Sequence, residues 1–330
     1  MMAARPYGQF APCSRHRARW KQGDNPMNGI KKSRLLTLIT VGIASAGLMV
    51  AGMAPATALA PTTRSANTAV INYVNLGDSY SAGFGSGSIK PGPFDGCFQT
   101  TGPTHVTAID QLPGVELTAD AACAGFSTAQ IAQAAAVVAP QLADADLVTL
   151  TLGGNNLRWG ETVAACATGS DAETCQTMLN LGYASMPALR ADVRSTLKQI
   201  DAATGAKILV LGYPRLFTSS NGDQPLITAK NARALNKLGD ALNRNIKAAT
   251  KGTDGSFVSV SGAFMNHGLG AAQSWISFNL ANAADPFNLH PTTTGYLNGY
   301  YPAVKRHINL KKLAHHDRSQ HEYQNSPSGH

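Results

Sequence analysis

Charge is scarce in this chain. Asp, Glu, Lys and Arg make up 14% of its 330 residues, well under the roughly 25% usual in globular domains. A polyelectrolyte that stays unfolded by self-repulsion is therefore excluded. Aromatic residues reach only 7%. Beyond the N-terminal segment the only tryptophans are Trp159 and Trp275, few for a sugar-binding face built from stacked rings. Cysteines number five, none of them in a CxxC pair or in a Cys/His group with zinc spacing, so no metal site is expected. No internal repeat is present, which removes solenoids. No linker interrupts the stretch from Ala69 to Leu310.

The formal charge of +8 suggests a nucleic-acid partner, but its distribution argues otherwise. Lys31, Lys32 and Arg34 precede an apolar run from Leu35 to about Ala54, and Ala56-Thr57-Ala58 follows. That is the pattern of an export signal cut after Ala58. An uncleaved membrane anchor is the alternative, since the run is long enough to span a bilayer. Eight of the 27 basic residues and one of the 19 acidic ones precede Leu59. The remainder carries 19 against 18, a net charge of +1, and has no basic stripe with interleaved aromatics. Residues 1–58 are thus expected to be signal and extension, 59–68 a flexible mature N-terminus, 69–310 the folded domain and 311–330 a disordered tail. A secreted monomer without a nucleic-acid partner is expected.

Cleavage removes Cys13 and leaves Cys97, Cys123, Cys166 and Cys175. An even set in an exported chain points to two disulfides. Three connectivities are open, and the neighbour pairs Cys97–Cys123 and Cys166–Cys175 are expected.

Strand-like segments alternate with helix-like ones. Ala69–Leu76, Asp146–Gly154, Lys207–Pro214 and Ser256–Gly262 read as strands by β-branched content and length. Thr128–Leu142, Met186–Thr204, Thr228–Thr250 and most of Thr292–Ile308 read as helices. The alternation predicts a parallel sheet covered on both faces. In such sheets chemistry gathers at the carboxyl ends of strands.

Three glycine-flanked polar groups fall at such ends: Gly77-Asp78-Ser79, Gly153-Gly154-Asn155-Asn156, and the loop Asp285 to Pro291. The first opens "GDSYSAGFGSG", with Gly77, Gly83, Gly85 and Gly87 inside eleven residues, more glycine than one turn requires. A serine becomes a nucleophile only when a base takes its proton, and His290, just before Pro291, is the best-placed base. Asn155 can offer an amide to a developing oxyanion, and Gly125 in "ACAGFST" an unobstructed N–H.

"GDSYSAG", "ACAG", "GGNN" and "HP" come in the order of the four blocks of the SGNH, or GDSL, hydrolase family, and the chain resembles its secreted actinobacterial esterases and lipases. The resemblance implies an α/β three-layer α/β/α sandwich with a flavodoxin-like parallel sheet, and a carboxylic ester hydrolase without a cofactor. It implies Ser79 as nucleophile and His290 as base. The N–H groups of Ser79 and Gly125 and the Asn155 amide would form the oxyanion hole. The substrate would be an acylglycerol, a short-chain ester or a cell-envelope ester. Two departures matter. Asn156 stands where Asp is common, and Phe287 stands three before the histidine where many relatives place Asp. The Phe287 carbonyl is therefore expected to orient His290, with the Asp285 carboxylate as the other candidate.

Other readings compete. "GFSTA" (Gly125 to Ala129) resembles a nucleophile elbow, which would make Ser127 the nucleophile of an α/β-hydrolase. A secreted carbohydrate-binding or adhesion module would leave Ser79 an ordinary loop residue. "GFGSG" has the wrong spacing for a dinucleotide loop, and Pro91 and Pro93 follow where a helix should start.

Overall fold

The computed structural model describes residues 70–314. The expected signal, the mature N-terminus through Ala69 and the tail beyond Ala314 lie outside the described residues. The first strand, β1 (Ile71–Gly77), is buried at six of its seven positions, as expected of a strand covered on both faces. It is followed by a short antiparallel pair, β2 (Ile89–Pro91) and β3 (Phe98–Thr100), and by helix α1 (His105–Asp110). Then come β4 (Val115–Asp120), helices α2 (Thr128–Val137) and α3 (Ala139–Ala143), and β5 (Leu147–Thr151). Helices α4 (Trp159–Ala165), α5 (Ala172–Ala184) and α6 (Met186–Asp201) precede β6 (Lys207–Leu211). Helix α7 (Ala229–Ala249) leads to β7 (Gly255–Val258). The chain then reaches a π-helical turn, Gly295–Tyr300, and α8 (Tyr301–Lys305).

Five parallel strands form the sheet in the order β4-β1-β5-β6-β7, the flavodoxin-like order with its switch point between β1 and β5. Helices α2, α5, α6 and α7 pack together on one face, and α1 packs with the π-helical turn and α8 on the other. The three-layer sandwich is thus present. Register places Gly77 beside Thr151, Thr151 beside Leu211 and Leu211 beside Val258. The loops after β1, β5 and β6 therefore leave the sheet at one level.

Several expected segments change shape. The helix expected over Thr128–Leu142 divides at Val138, because Pro140 lacks an N–H and its ring crowds the carbonyl of residue 136. Its N-cap is Ser127, in a reciprocal capping box with Gln130. The final helix is π-wound before Pro302 rather than regular. The tail expected from Lys311 begins too early: residues 310–314 are helical, Asn309 Oδ1 accepts from the Lys312 N–H and Leu313 is buried. Among the described residues no helix is long and apolar enough to cross a membrane, and no cluster suited to a metal ion is found.

Two disulfides, Cys97–Cys123 and Cys166–Cys175, join the expected neighbours. The first ties the β2–β3 hairpin to the segment just before Gly125. The second links the end of α4 to α5.

Candidate active site

At the end of β1 the chain turns sharply. Gly77 sits at φ 125°, and a Cβ there would lie 2.6 Å from the Thr151 carbonyl oxygen, so only glycine lets β1 run this close to β5 at the turn. Asp78 follows, buried, and its Oδ1 accepts from the Tyr80 N–H at 3.1 Å and from the Thr151 hydroxyl at 2.7 Å. Its Oδ2 accepts from the Tyr213 hydroxyl, which in turn accepts from the Gly154 N–H at 3.1 Å. One acid thus fastens together the loops after β1, β5 and β6. Burial pushes the Asp78 pKa up, against the opposing pull of the Tyr213 and Thr151 hydrogen bonds. Both carboxylate oxygens of Asp78 are thus engaged in holding the loops together.

The Ser79 hydroxyl lies 2.7 Å from His290 Nε2. Those residues are 211 apart in sequence. The His290 loop is held by its backbone. The Ser277 N–H donates to the His290 carbonyl and the Leu289 N–H to the Ser277 carbonyl, each at 2.8 Å. The Tyr80 hydroxyl donates to the Leu289 carbonyl at 2.6 Å. Leu289 takes φ 66°, a costly left-handed geometry for a side-chain-bearing residue, imposed by these clamps. Gly85 explains the later glycines of the first loop: a Cβ there would lie 2.2 Å from the Pro291 carbonyl oxygen. The glycine-rich loop packs directly against the segment that carries the histidine.

Tyr80 and Phe84 flank the imidazole, with ring centroids 5.2 and 5.6 Å away. Enclosure pushes the His290 pKa down to about 4, while the Asn288 and then the Phe287 backbone favour the charged ring. Nδ1 is buried, yet no acceptor meets full hydrogen-bond geometry there. Of the two orienting groups expected, Asp285 is engaged elsewhere: its carboxylate accepts from the Phe287 N–H at 2.9 Å and from the Asn279 amide at 3.1 Å. The Phe287 carbonyl accepts from the His290 main-chain N–H at 3.2 Å, and its influence on the ring ranks behind that of Asn288.

Gly125 and Asn155 line the same pocket as Ser79 and His290. Neither the Ser79 nor the Gly125 N–H donates to a protein acceptor among the described residues. Gly125 takes φ 82°, with open space where a Cβ would be. The Asn155 amide donates one hydrogen to the Phe126 carbonyl at 2.9 Å, which fixes the side chain and leaves its second N–H free. Asn156 points elsewhere. It accepts from the Thr128 N–H at 3.1 Å and donates to the Thr128 hydroxyl at 2.9 Å, binding the start of α2. Ser127 donates to Gln130 Oε1 at 2.9 Å as a helix cap, and among the described residues no histidine hydrogen-bonds to it.

The comparisons with known proteins follow this geometry. Residues 76–297 match the GDSL-like Lipase/Acylhydrolase family. The chain belongs to that family. Lipase 1 of Streptomyces coelicolor is 28% identical over 281 residues, covering 83% of this chain and 98% of the relative. Lipase 2 of the same organism is 30% identical over 257 residues, covering 72% and 84%. Among solved structures, phospholipase A1 from Streptomyces albidoflavus aligns with a TM-score of 0.62 at 26% identity, over 73% of this chain and all of that one. An extracellular lipase from Streptomyces rimosus shares the fold, with a TM-score of 0.63 at 24% identity over 72% of this chain and all of that one. Membership places this GDSL-like chain among the carboxylic ester hydrolases.

Three features of this site were not legible in the residues beforehand. Nothing in the local sequence marks Tyr80 and Tyr213, and only their hydroxyl partners reveal them as fasteners. Trp159 reads as a lone tryptophan, yet it walls the pocket. His105 is buried at the start of α1 beside Tyr296 and Tyr300. His267 stacks on Trp275 at 3.7 Å.

Proposed function

We propose that this protein is an exported serine esterase or lipase with Ser79 as nucleophile and His290 as general base and acid. The observation that carries the reading is the 2.7 Å contact between Ser79 Oγ and His290 Nε2. Nε2 takes the Ser79 proton as Oγ attacks the ester carbonyl. The carbonyl oxygen, now negative, accepts from the Ser79 and Gly125 N–H groups and the free Asn155 N–H. Collapse breaks the C–O bond, and Nε2 gives its proton to the departing alkoxide. Water then repeats the sequence on the acyl-enzyme and restores Ser79. Among the described residues no carboxylate hydrogen-bonds to the imidazole. The carbonyls of Asn288 and Phe287 serve as neutral supports, a weaker arrangement than a triad.

Export is supported by the signal-like N-terminus, by two disulfides and by a relative described as extracellular. The pocket of about 310 Å³ suits an ester with an apolar acyl group, and the protein acts as a monomer. An alkyl fluorophosphonate should label Ser79, and Ser79→Ala should abolish both labelling and hydrolysis with the fold intact. A losing serine nucleophile costs several decades of turnover. Labelling at Ser127, or full activity in Ser79→Ala, would overturn the assignment. Absence of any labelling would favour the binding-module reading.

A further inference from the structure

Gly154, the second glycine after β5, has no backbone reason to be glycine. Its φ of −58° and ψ of −45° are ordinary right-handed helical values, open to any residue. The reason is a neighbour. A Cβ on Gly154 would lie 3.2 Å from Cζ and 3.3 Å from the hydroxyl oxygen of Tyr213, closer than the roughly 3.5–4.0 Å at which carbon atoms pack best. Without that Cβ, the Gly154 N–H reaches the Tyr213 hydroxyl at 3.1 Å. Tyr213 is itself held from behind. The Asn243 side chain of α7 accepts from its main-chain N–H at 2.9 Å and donates to its carbonyl at 2.8 Å. The Tyr80 ring packs edge-on, with centroids 5.1 Å apart. Burial, and after it the charge of Asp78, push the Tyr213 pKa well above the ordinary 10, so the hydroxyl keeps its proton and donates it to Asp78 Oδ2.

The two partners of that hydroxyl stand next to the site. Asp78 immediately precedes Ser79, and Gly154 immediately precedes Asn155. One hydroxyl therefore joins the residues that come before two of the three oxyanion donors. The joint is not symmetrical. Without the hydroxyl, Asp78 still accepts from the Tyr80 N–H and the Thr151 hydroxyl through Oδ1. The Gly154 N–H has no other acceptor among the described residues. The loop after β5 would thus lose its tie to the nucleophile turn, whereas the turn would stay. We propose that Tyr213 is a positioning residue for the oxyanion hole: its hydroxyl holds the Asn155 amide at the distance from the Ser79 N–H that lets both donate to one oxygen. The role rests on the Ser79–His290 reading and adds to it a group that acts through Asn155.

The test is a double-mutant cycle on p-nitrophenyl butyrate with Tyr213→Phe, Asn155→Ala and the two combined. Phenylalanine keeps the ring that lines the pocket and removes only the hydroxyl. Tyr213→Phe should lower kcat and kcat/KM together by about 10–100-fold, with KM changed less than about threefold, because a misplaced donor fails mainly in the transition state. In the Asn155→Ala background the same substitution should cost less than about threefold, since the donor it places is gone. A tyrosine that merely stabilised the fold would lower activity alike in both backgrounds. Undiminished kcat in Tyr213→Phe would overturn the proposal, and so would a loss of equal size in the two backgrounds. Gly154→Ala is the second arm should Tyr213→Phe not fold. Its backbone accepts alanine while its Cβ crowds the tyrosine, so kcat should fall at steady KM, and the fall should shrink beside Asn155→Ala. An unchanged kcat in Gly154→Ala, or a fall that does not shrink, then refutes the proposal. Full activity in Ser79→Ala is the separate result that sinks the serine–histidine reading, and the role of Tyr213 falls with it.

Discussion

Titrating the enzyme into acid separates an imidazole backed only by carbonyls from one backed by a carboxylate. The proposed mechanism needs His290 neutral, so on it activity is lost as pH falls through the His290 pKa. Its ordinary value is 6.5, and enclosure between Tyr80 and Phe84 pushes it down to about 4. At about 1.4 kcal/mol per pH unit, that descent corresponds to at most roughly 3.5 kcal/mol against the charged ring. The ring edge nevertheless opens onto the pocket, and it is only half-buried in the free protein. Water there solvates the imidazolium, so the acid limb of kcat/KM, which reports the free enzyme, should fall between about 4 and 6.5. An acyl chain in the pocket displaces that water, and the limb of kcat should move lower still, toward about 4. Initial rates on p-nitrophenyl butyrate, quenched and read after alkalinisation, give both limbs. Recovery of full activity on return to neutral pH keeps unfolding apart from titration. A kcat/KM limb at about 7 or above would refute the reasoning, because only an anionic partner at Nδ1 raises an enclosed imidazole that far. A kcat limb lying above the kcat/KM limb would refute the desolvation argument separately.

Asn155→Ala should lower kcat by about 10²–10³, the usual effect of losing one oxyanion donor, with a smaller change in KM. Asn156→Ala should instead lower Tm through its lost bonds to Thr128, and the two variants compared on one ester would expose any exchange of roles. Asp285→Asn should keep at least about a tenth of wild-type turnover, since the carboxylate serves the Phe287 N–H and Asn279; a loss near the four decades typical of a triad aspartate would make it the third member after all. His105 is held near a pKa of about 3 by burial, below the 6.5 of the unfolded chain. Its contribution is complete above 6.5 and is lost as pH falls from there toward 3, so His105→Leu should shift the acid-unfolding midpoint, followed by circular dichroism, to lower pH. An unchanged midpoint would show that another group triggers acid unfolding.

The residues themselves settled the sheet's central strands and the three loops that carry chemistry. Buried parallel strands are continuous apolar runs, and β1, β5 and β6 stand out for that reason. β4 was invisible. It lies at the sheet edge, half-buried, and carries Glu116 and Asp120, residues with little strand preference. Only its pairing with β1 makes it a strand. Ser79 and Asn155 could be singled out because each sits in a glycine-marked turn after a strong strand, His290 because it stands before Pro291 and the last helix, and Gly125 because its glycine lies between the first two sites. What orients His290 could not be read locally. Asp285 lies five residues before it and is the nearest acid in sequence, but its carboxylate turns back onto its own loop. The groups that position the histidine are the Tyr80 hydroxyl and the Ser277 backbone, and both act on main-chain atoms of its loop from positions far away in the chain. Strand and turn chemistry is written in neighbouring residues, whereas a pocket is space left between elements far apart in the chain, and only their packing decides where that space lies.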